Sequence, residues 1–250
     1  MGWSDLKDTT VLVTGASRGF GRGIAAALHE AGADVVAVAR TAEQLGQLQE
    51  ELGERLTVVA ADAADPVVAG SLLDQYRPKT LVLNAGAPPL MRPLQHQTWE
   101  TFSRNWEVDV QQAFHWIREA LLLPLAPQST VITMSSGAAL FGSPLSGGYA
   151  GAKAAIRFLT GYAADESQRA GLVIRFLSVL PKLTPATDLG ASAVTAYAGR
   201  AGLDVDEFVK QSGPALLPDQ VGKHIADLAT STDHTGAYLL TPDGLKEISQ

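Results

Sequence analysis

The chain has 250 residues, 46% of them hydrophobic, with 24 glycines, 13 prolines, no cysteine and a formal net charge of −7. This length suits one domain, 1–250, with a large core. The acid excess, without any run of Lys or Arg, argues against a nucleic-acid partner. The lack of cysteine removes disulfides, a thiol nucleophile and a thiolate metal site, and suits a cytoplasmic protein. The N-terminal MGWSDLKDTT is polar and charged, unlike a secretory leader. No apolar run reaches spanning length, the longest, around Leu121 to Leu125, being broken by Pro124, so no membrane partner is expected.

Thr10 to Thr14 (TVLVT) is a continuous apolar run of the kind buried on both faces of a parallel sheet. It runs into TGASRGFG, residues 14–21, and then a helical pattern to about Ala31. Gly15 permits a tight turn, and Gly19 and Gly21 allow close backbone approach. The free N–H groups opening such a helix form an anion site suited to a pyrophosphate. Asp34 to Ala39 is the second strand, and it ends at Arg40-Thr41 with no acid between Val35 and Ala42. An acid here would accept from a ribose 2′-hydroxyl, whereas an arginine accommodates a 2′-phosphate. Arg40 and Arg18 therefore read as a clamp that prefers NADP(H) over NAD(H).

A third strand, 56–61, precedes Asp62 and Ala63, with Asp62 placed for an adenine amino group; helix 65–77 leads to strand 80–83 and Asn84-Ala85-Gly86. This alternation implies right-handed βαβ units and ligands at the carboxyl ends of the strands. One continuous helix is expected over 98–123, carrying Trp99, Phe102, Trp106, Phe114 and Trp116 as core or subunit interface.

Strand 129–134 ends in Ser135-Ser136, a Gly/Pro/Ser-rich loop follows, and helix 149–169 carries Tyr149 and Lys153. Four residues apart, these two side chains share one helix face. A cation beside a phenol favours the phenolate, which readies the tyrosine for the proton exchange of carbonyl reduction or alcohol oxidation. Strand 172–179 runs to Pro181, and the looser stretch 183–217 reads as one or two short helices forming a lid. A helix at 218–230 and a short strand at 238–240 complete the chain.

Together TGASRGFG, Asp62, NAG (84–86), Ser136 and YAGAK (149–153) resemble the short-chain dehydrogenase/reductase family nearly end to end. The resemblance implies a doubly wound Rossmann-like parallel sheet of about seven strands with helices on both faces. It implies a nicotinamide cofactor held by Gly15, Ser17, Arg18, Gly19, Phe20, Gly21, Arg40, Thr41, Asp62, Ala63, Asn84, Ala85, Gly86, Tyr149, Lys153 and Pro181. In that family's mechanism Tyr149 would exchange a proton with the substrate oxygen and Ser136 would hold that oxygen. Lys153 would bind the nicotinamide ribose. The resemblance also implies a homotetramer or homodimer built on helices 98–123 and 149–169.

Two positions depart from the family pattern. In EVDVQQAF, Asp109 stands where the family usually carries an asparagine that holds a relay water. Asp109 either holds such a water or pairs with Lys153. In Pro181-Lys182, lysine replaces the usual glycine and would be strained if positive φ were required.

The sequence thus predicts an NADP(H)-dependent ketoreductase acting on a small ketone or secondary alcohol of apolar, cyclic or aromatic character. Ala138, Leu140, Phe141, Leu90, Met91 and the lid are expected to line its pocket. The alternative is a non-catalytic NADP-binding sensor or scaffold on the same fold. No G-x-S-x-G elbow is present, and the five histidines are scattered, so hydrolase and metal chemistry are not expected.

Overall fold

The computed structural model describes residues 6–248. Half of the polar N-terminal stretch therefore lies outside the described residues. Strands of four to six residues alternate with helices of eleven or twelve as the sequence predicts: β1 (Thr10–Thr14), α1 (Gly19–Glu30), β2 (Asp34–Ala39), α2 (Ala42–Leu52), β3 (Leu56–Ala60), α3 (Pro66–Tyr76) and β4 (Thr80–Leu83). After β4 come α4 (Trp99–Asn105), a π turn (Trp106–Val110), α5 (Gln111–Leu122) and β5 (Thr130–Met134). A short α6 (Ala138–Phe141), the long α7 (Gly147–Arg169), β6 (Arg175–Pro181), α8 (Asp188–Ala201), α9 (Val205–Ser212) and α10 (Pro218–Thr230) follow. The chain closes on a hairpin, β7 (Gly236–Thr241) and β8 (Gly244–Ile248).

The sheet has eight strands in the order β3-β2-β1-β4-β5-β6-β7-β8. All neighbours are parallel except β7 and β8. Alternate strand residues enter opposite cores, so the central strands are apolar throughout. Val11 and Val13 pack with Ile24, Leu28, Leu45 and Ile225 from α1, α2 and α10. Leu12 packs on the other face with Leu73, Trp116 and Ile156 from α3, α5 and α7. Strand order reverses between β1 and β4, and the crevice at their carboxyl ends is where a doubly wound sheet receives its ligand.

Three local differences from the sequence reading stand out. The helix expected over 98–123 is interrupted by the π turn, at which Asn105 Nδ2 donates to the Ala87 carbonyl and Asp109 Oδ1 accepts from the Ala87 amide. Strand β6 starts at Arg175 rather than 172, because Val173 sits at φ 57° and reverses the chain after α7. The extra strand β8 pairs with β7 across a tight turn whose Pro242-Asp243-Gly244 is a recognisable turn signal.

Candidate active site

The glycine-rich turn after β1 is built by its neighbours. Gly15 has φ 66°, and a Cβ there would come within 2.7 Å of the Ala85 Cα, so the two strand ends close on each other only through glycine. Asn84 Nδ2 donates to the carbonyls of Thr14 and Gly15, each at 3.2 Å. Thr14 Oγ1 accepts from the amides of Asn84 (3.0 Å) and Ala85 (3.1 Å) and donates to Gln112 Oε1. Gln112 Nε2 in turn donates to the Ala85 carbonyl at 3.2 Å. Thus Asn84, expected as a cofactor contact, has its side-chain amide engaged in fixing the glycine turn. Gln112 and Thr14 escaped the sequence reading; a buried glutamine beside the apolar stripe of α5 was the available signal.

The turn leads to α1, whose Arg18 cap position supplies no side-chain bond and whose first turn holds no acid. Ser17 to Phe20, where this helix opens, line the crevice, and an uncapped helix start is where an anion would be received. Arg18 itself pairs with Asp188 at the start of α8, Nη1 to Oδ2 3.2 Å. Arg40 and Thr41 are exposed at the end of β2. Asp62 Oδ1 accepts from the Ala64 amide at 3.0 Å, and the Ala63 carbonyl accepts from Trp116 Nε1 at 2.8 Å.

Across the crevice, β5 delivers Ser136, whose Oγ accepts from the Ala138 amide at 3.2 Å. Ser135 Oγ donates to the Lys153 carbonyl at 2.7 Å and locks α7 to this strand. Helix α7 brings Tyr149 and Lys153 together, the ammonium lying 5.6 Å from the phenol ring centroid. Lys153 Nζ donates to the Met134 carbonyl at 3.0 Å and pairs with Asp109 Oδ2 at 3.1 Å. The close crossing that allows this pairing depends on Gly148, where a Cβ would run into the Phe102 carbonyl. Burial alone would lower the Lys153 pKa; the charge of Asp109, aided by Tyr149 and by the hydrogen bond to Asp109, outweighs it and holds the pKa above its ordinary value.

These residues surround one cavity of about 1080 Å³. Every candidate catalytic residue and every candidate cofactor residue except Gly21 lies in its wall. Gly21 stands behind it, where a Cβ would strike the Gly15 carbonyl. The glycine turn, Asp62, the NAG peptide and Lys153 follow one another along the crevice as a dinucleotide's parts would, and the residues present fit that group. Ala138, Phe141 and Met91 line the cavity as expected, but Leu90 and Leu140 do not. Leu90 is drawn aside, its carbonyl accepting from Gln97 Nε2 at 3.0 Å.

The segment 183–217, expected as a lid, adds Leu183, Leu189, Tyr197 and Phe208 to the wall. Tyr197 is hydrogen-bonded through its hydroxyl to Ser143, which also bonds Ser146 at 2.7 Å. Lys182 does not adopt positive φ, so the expected strain is absent. Its Nζ donates to the Ser212 carbonyl at 2.8 Å, holding the end of α9.

A family model described as short chain dehydrogenase matches residues 9–198. Over 101 residues the chain is 40% identical to the L-xylulose reductase of Homo sapiens, covering 40% of this chain and 41% of that protein. Over 151 residues it is 32% identical to carbonyl reductase (NADPH) 2 of Sus scrofa, covering 60% of this chain and 62% of that one. The chain thus spans less than two thirds of either relative. The crystal structure of a dehydrogenase/reductase from Sinorhizobium meliloti 1021 superimposes with a TM-score of 0.79 at 27% identity, covering 95% of each chain. With the strand order, the glycine turn and the Tyr149–Lys153 helix already in place, the family match over most of the chain is decisive: this protein belongs to the short-chain dehydrogenase family.

Proposed function

We propose that the protein is an NADPH-dependent ketoreductase, one catalytic domain with its lid at 183–217, that reduces a small carbonyl compound to a secondary alcohol. The observation that carries this reading is the convergence of Ser136, Tyr149 and Lys153 with the glycine turn and the NAG peptide on a single cavity. A nicotinamide cofactor bound there supplies the hydride for the carbonyl carbon. The glycine turn and the leading amides of α1 would receive its pyrophosphate, Asp62 and Ala63 would hold its adenine, and Asn84 to Gly86 with Pro181 would hold its nicotinamide end. Tyr149 gives its hydroxyl proton to the substrate oxygen while the Ser136 hydroxyl holds that oxygen in place. The Lys153 ammonium stabilises the negative charge that develops on Tyr149 as the proton leaves. Leu183, Leu189 and Phe208 close the lid side and exclude water.

Preference for NADPH is supported by Arg40-Thr41 at the end of β2 and by the absence of an acid there. An apolar, cyclic or aromatic substrate is supported by Met91, Phe141, Leu189 and Phe208 in the wall. In this reading the protein is cytoplasmic, has no nucleic-acid or membrane partner, and works as a homodimer or homotetramer.

NADPH consumption against cyclic and aromatic ketones, quinones and β-keto acyl compounds tests the reaction, with NADH in parallel. Tyr149→Phe is expected to lower kcat at least about 10²-fold on any compound the wild type reduces. Equal turnover by both would overturn the role of Tyr149. Tight NADPH binding with no turnover on any compound would favour the sensor reading.

A further inference from the structure

The Lys153–Asp109 pair is buried at the floor of the cavity: Asp109 is 0% and Lys153 5% exposed. Asp109 is held on three sides. Its Oδ1 accepts from the Ala87 amide at 2.8 Å and from Asn105 Nδ2 at 3.4 Å, and its Oδ2 faces Lys153 Nζ at 3.1 Å. The approach requires Gly86, since a Cβ there would stand 2.7 Å from Oδ2. The π turn that presents Asp109 is itself a departure from regular helix, a geometry concentrated at functional sites.

We infer that Asp109 is a positioning residue that keeps the buried Lys153 ammonium charged and in place for Tyr149. The inference rests on the ketoreductase reading for its catalytic consequence but not for its electrostatics. An ammonium taken out of water discards its proton unless a counter-charge or several acceptors hold it. Among the described residues, the charged or titratable groups acting on Lys153 are Asp109, from the π turn, and Tyr149, from its own helix; β5 contributes the Met134 carbonyl. Asp109 is therefore the group that offsets burial. An asparagine at 109 could still accept from the Ala87 amide, so the structural bond would survive while the counter-charge would vanish.

The sign of the pH effect follows. In the wild type the folded Lys153 binds its proton more tightly than in the unfolded chain, so this contribution to stability is complete below the lysine's ordinary pKa. It is lost as pH rises through the raised value. In Asp109→Asn burial dominates and Lys153 binds its proton more weakly folded than unfolded, so the variant's deficit shrinks as pH rises.

The test measures Tm of the wild type, Asp109→Asn, Lys153→Met and Asp109→Asn/Lys153→Met from pH 6 to 10, with kcat/KM of the first two where turnover is found. Asp109→Asn is expected to lose on the order of 10 °C at pH 6 and to recover toward the wild type by pH 10. The double variant is expected to regain most of the loss at every pH. The kcat/KM of Asp109→Asn is expected to fall toward alkaline pH where the wild type's does not. A pH-independent deficit, or a double variant as unstable as Asp109→Asn, would overturn the inference by showing a structural role toward Ala87. The Tm comparison decides this even if no carbonyl compound is reduced, so failure of the ketoreductase reading is seen separately.

Discussion

Arg18 and Arg40, read from the sequence as one clamp for a 2′-phosphate, stand differently in the fold. Arg18 is tied to Asp188 across the mouth of the crevice, whereas Arg40 makes no ion pair among the described residues. The exposed Arg18–Asp188 pair is worth at most about 1 kcal/mol, so a doubly charged phosphate can draw Arg18 away from it. Arg40→Asp is expected to weaken NADPH binding at least about tenfold while leaving NADH within about twofold, as read by fluorescence titration of both cofactors. Equal losses would exclude a phosphate-specific contact. At this scale the convergence of Ser136, Tyr149 and Lys153 on one cavity was legible because each lies at a strand end or on one helix turn, where local spacing fixes direction. Thr14, Asn105 and Gln112 were not, because their partners come from distant segments: Thr14 and Gln112 are 98 residues apart. The Asp109–Lys153 pairing was one of two outcomes the sequence left open, and only the crossing of the π turn over α7 decides between them.

The elements themselves follow from simple rules that fail at identifiable points. Asp65 caps α3 by accepting from the Val67 amide at 2.8 Å, Pro66 opens that helix, and Thr98 opens α4 in a reciprocal cap with Thr101. Both starts were readable to within a residue. The start of β6 was not, because apolar Leu172 and Val173 look like strand residues. Val173 is instead 60% exposed in a left-handed turn, its carbonyl accepting from the Gln128 amide at 2.7 Å. A β-branched side chain is disfavoured there by roughly 1 kcal/mol or more. Val173→Asn, which tolerates that conformation, is expected to raise Tm by about 2–4 °C with unchanged cofactor binding. A lower Tm would mean that the valine side chain makes a contribution its exposure does not suggest. The π turn had no signal in the sequence beyond the acid at 109, and the partner it meets, the Ala87 peptide, lies 18 to 22 residues upstream.

On the scale of the whole molecule, the strand order follows from alternating apolar runs and helices, and the site then falls at the reversal between β1 and β4. The eighth strand extends the sheet edge beyond the short terminal strand that the sequence suggested. The aromatic residues of the long helical segment divide, with Phe102 half-buried between the extremes. Trp116 is fully buried over Ala63, while Trp99, Trp106 and Phe114 remain exposed, as do Phe158 and Tyr162 on α7, which stack with centroids 6.4 Å apart. Exposed aromatics of this number are characteristic of a surface that meets a partner. Light scattering after gel filtration is expected to give a dimeric or tetrameric mass for the wild type and a smaller one for Phe158→Glu/Tyr162→Glu. A monomeric wild type would leave that face without a like partner.

The segment 183–217 leaves the sheet after Pro181 and returns at Pro218, and its polar ties to the rest of the molecule run chiefly through Arg18, Ser143 and Lys182. It can accordingly change as a cassette. Mutation can reshape this side of the cavity wall, through Leu189 or Phe208, without disturbing the strand end at Ser136 or helix α7 with Tyr149 and Lys153. In such a chain, adaptation to a new carbonyl compound is a matter of exchanging about one seventh of the sequence while three anchoring positions stay fixed.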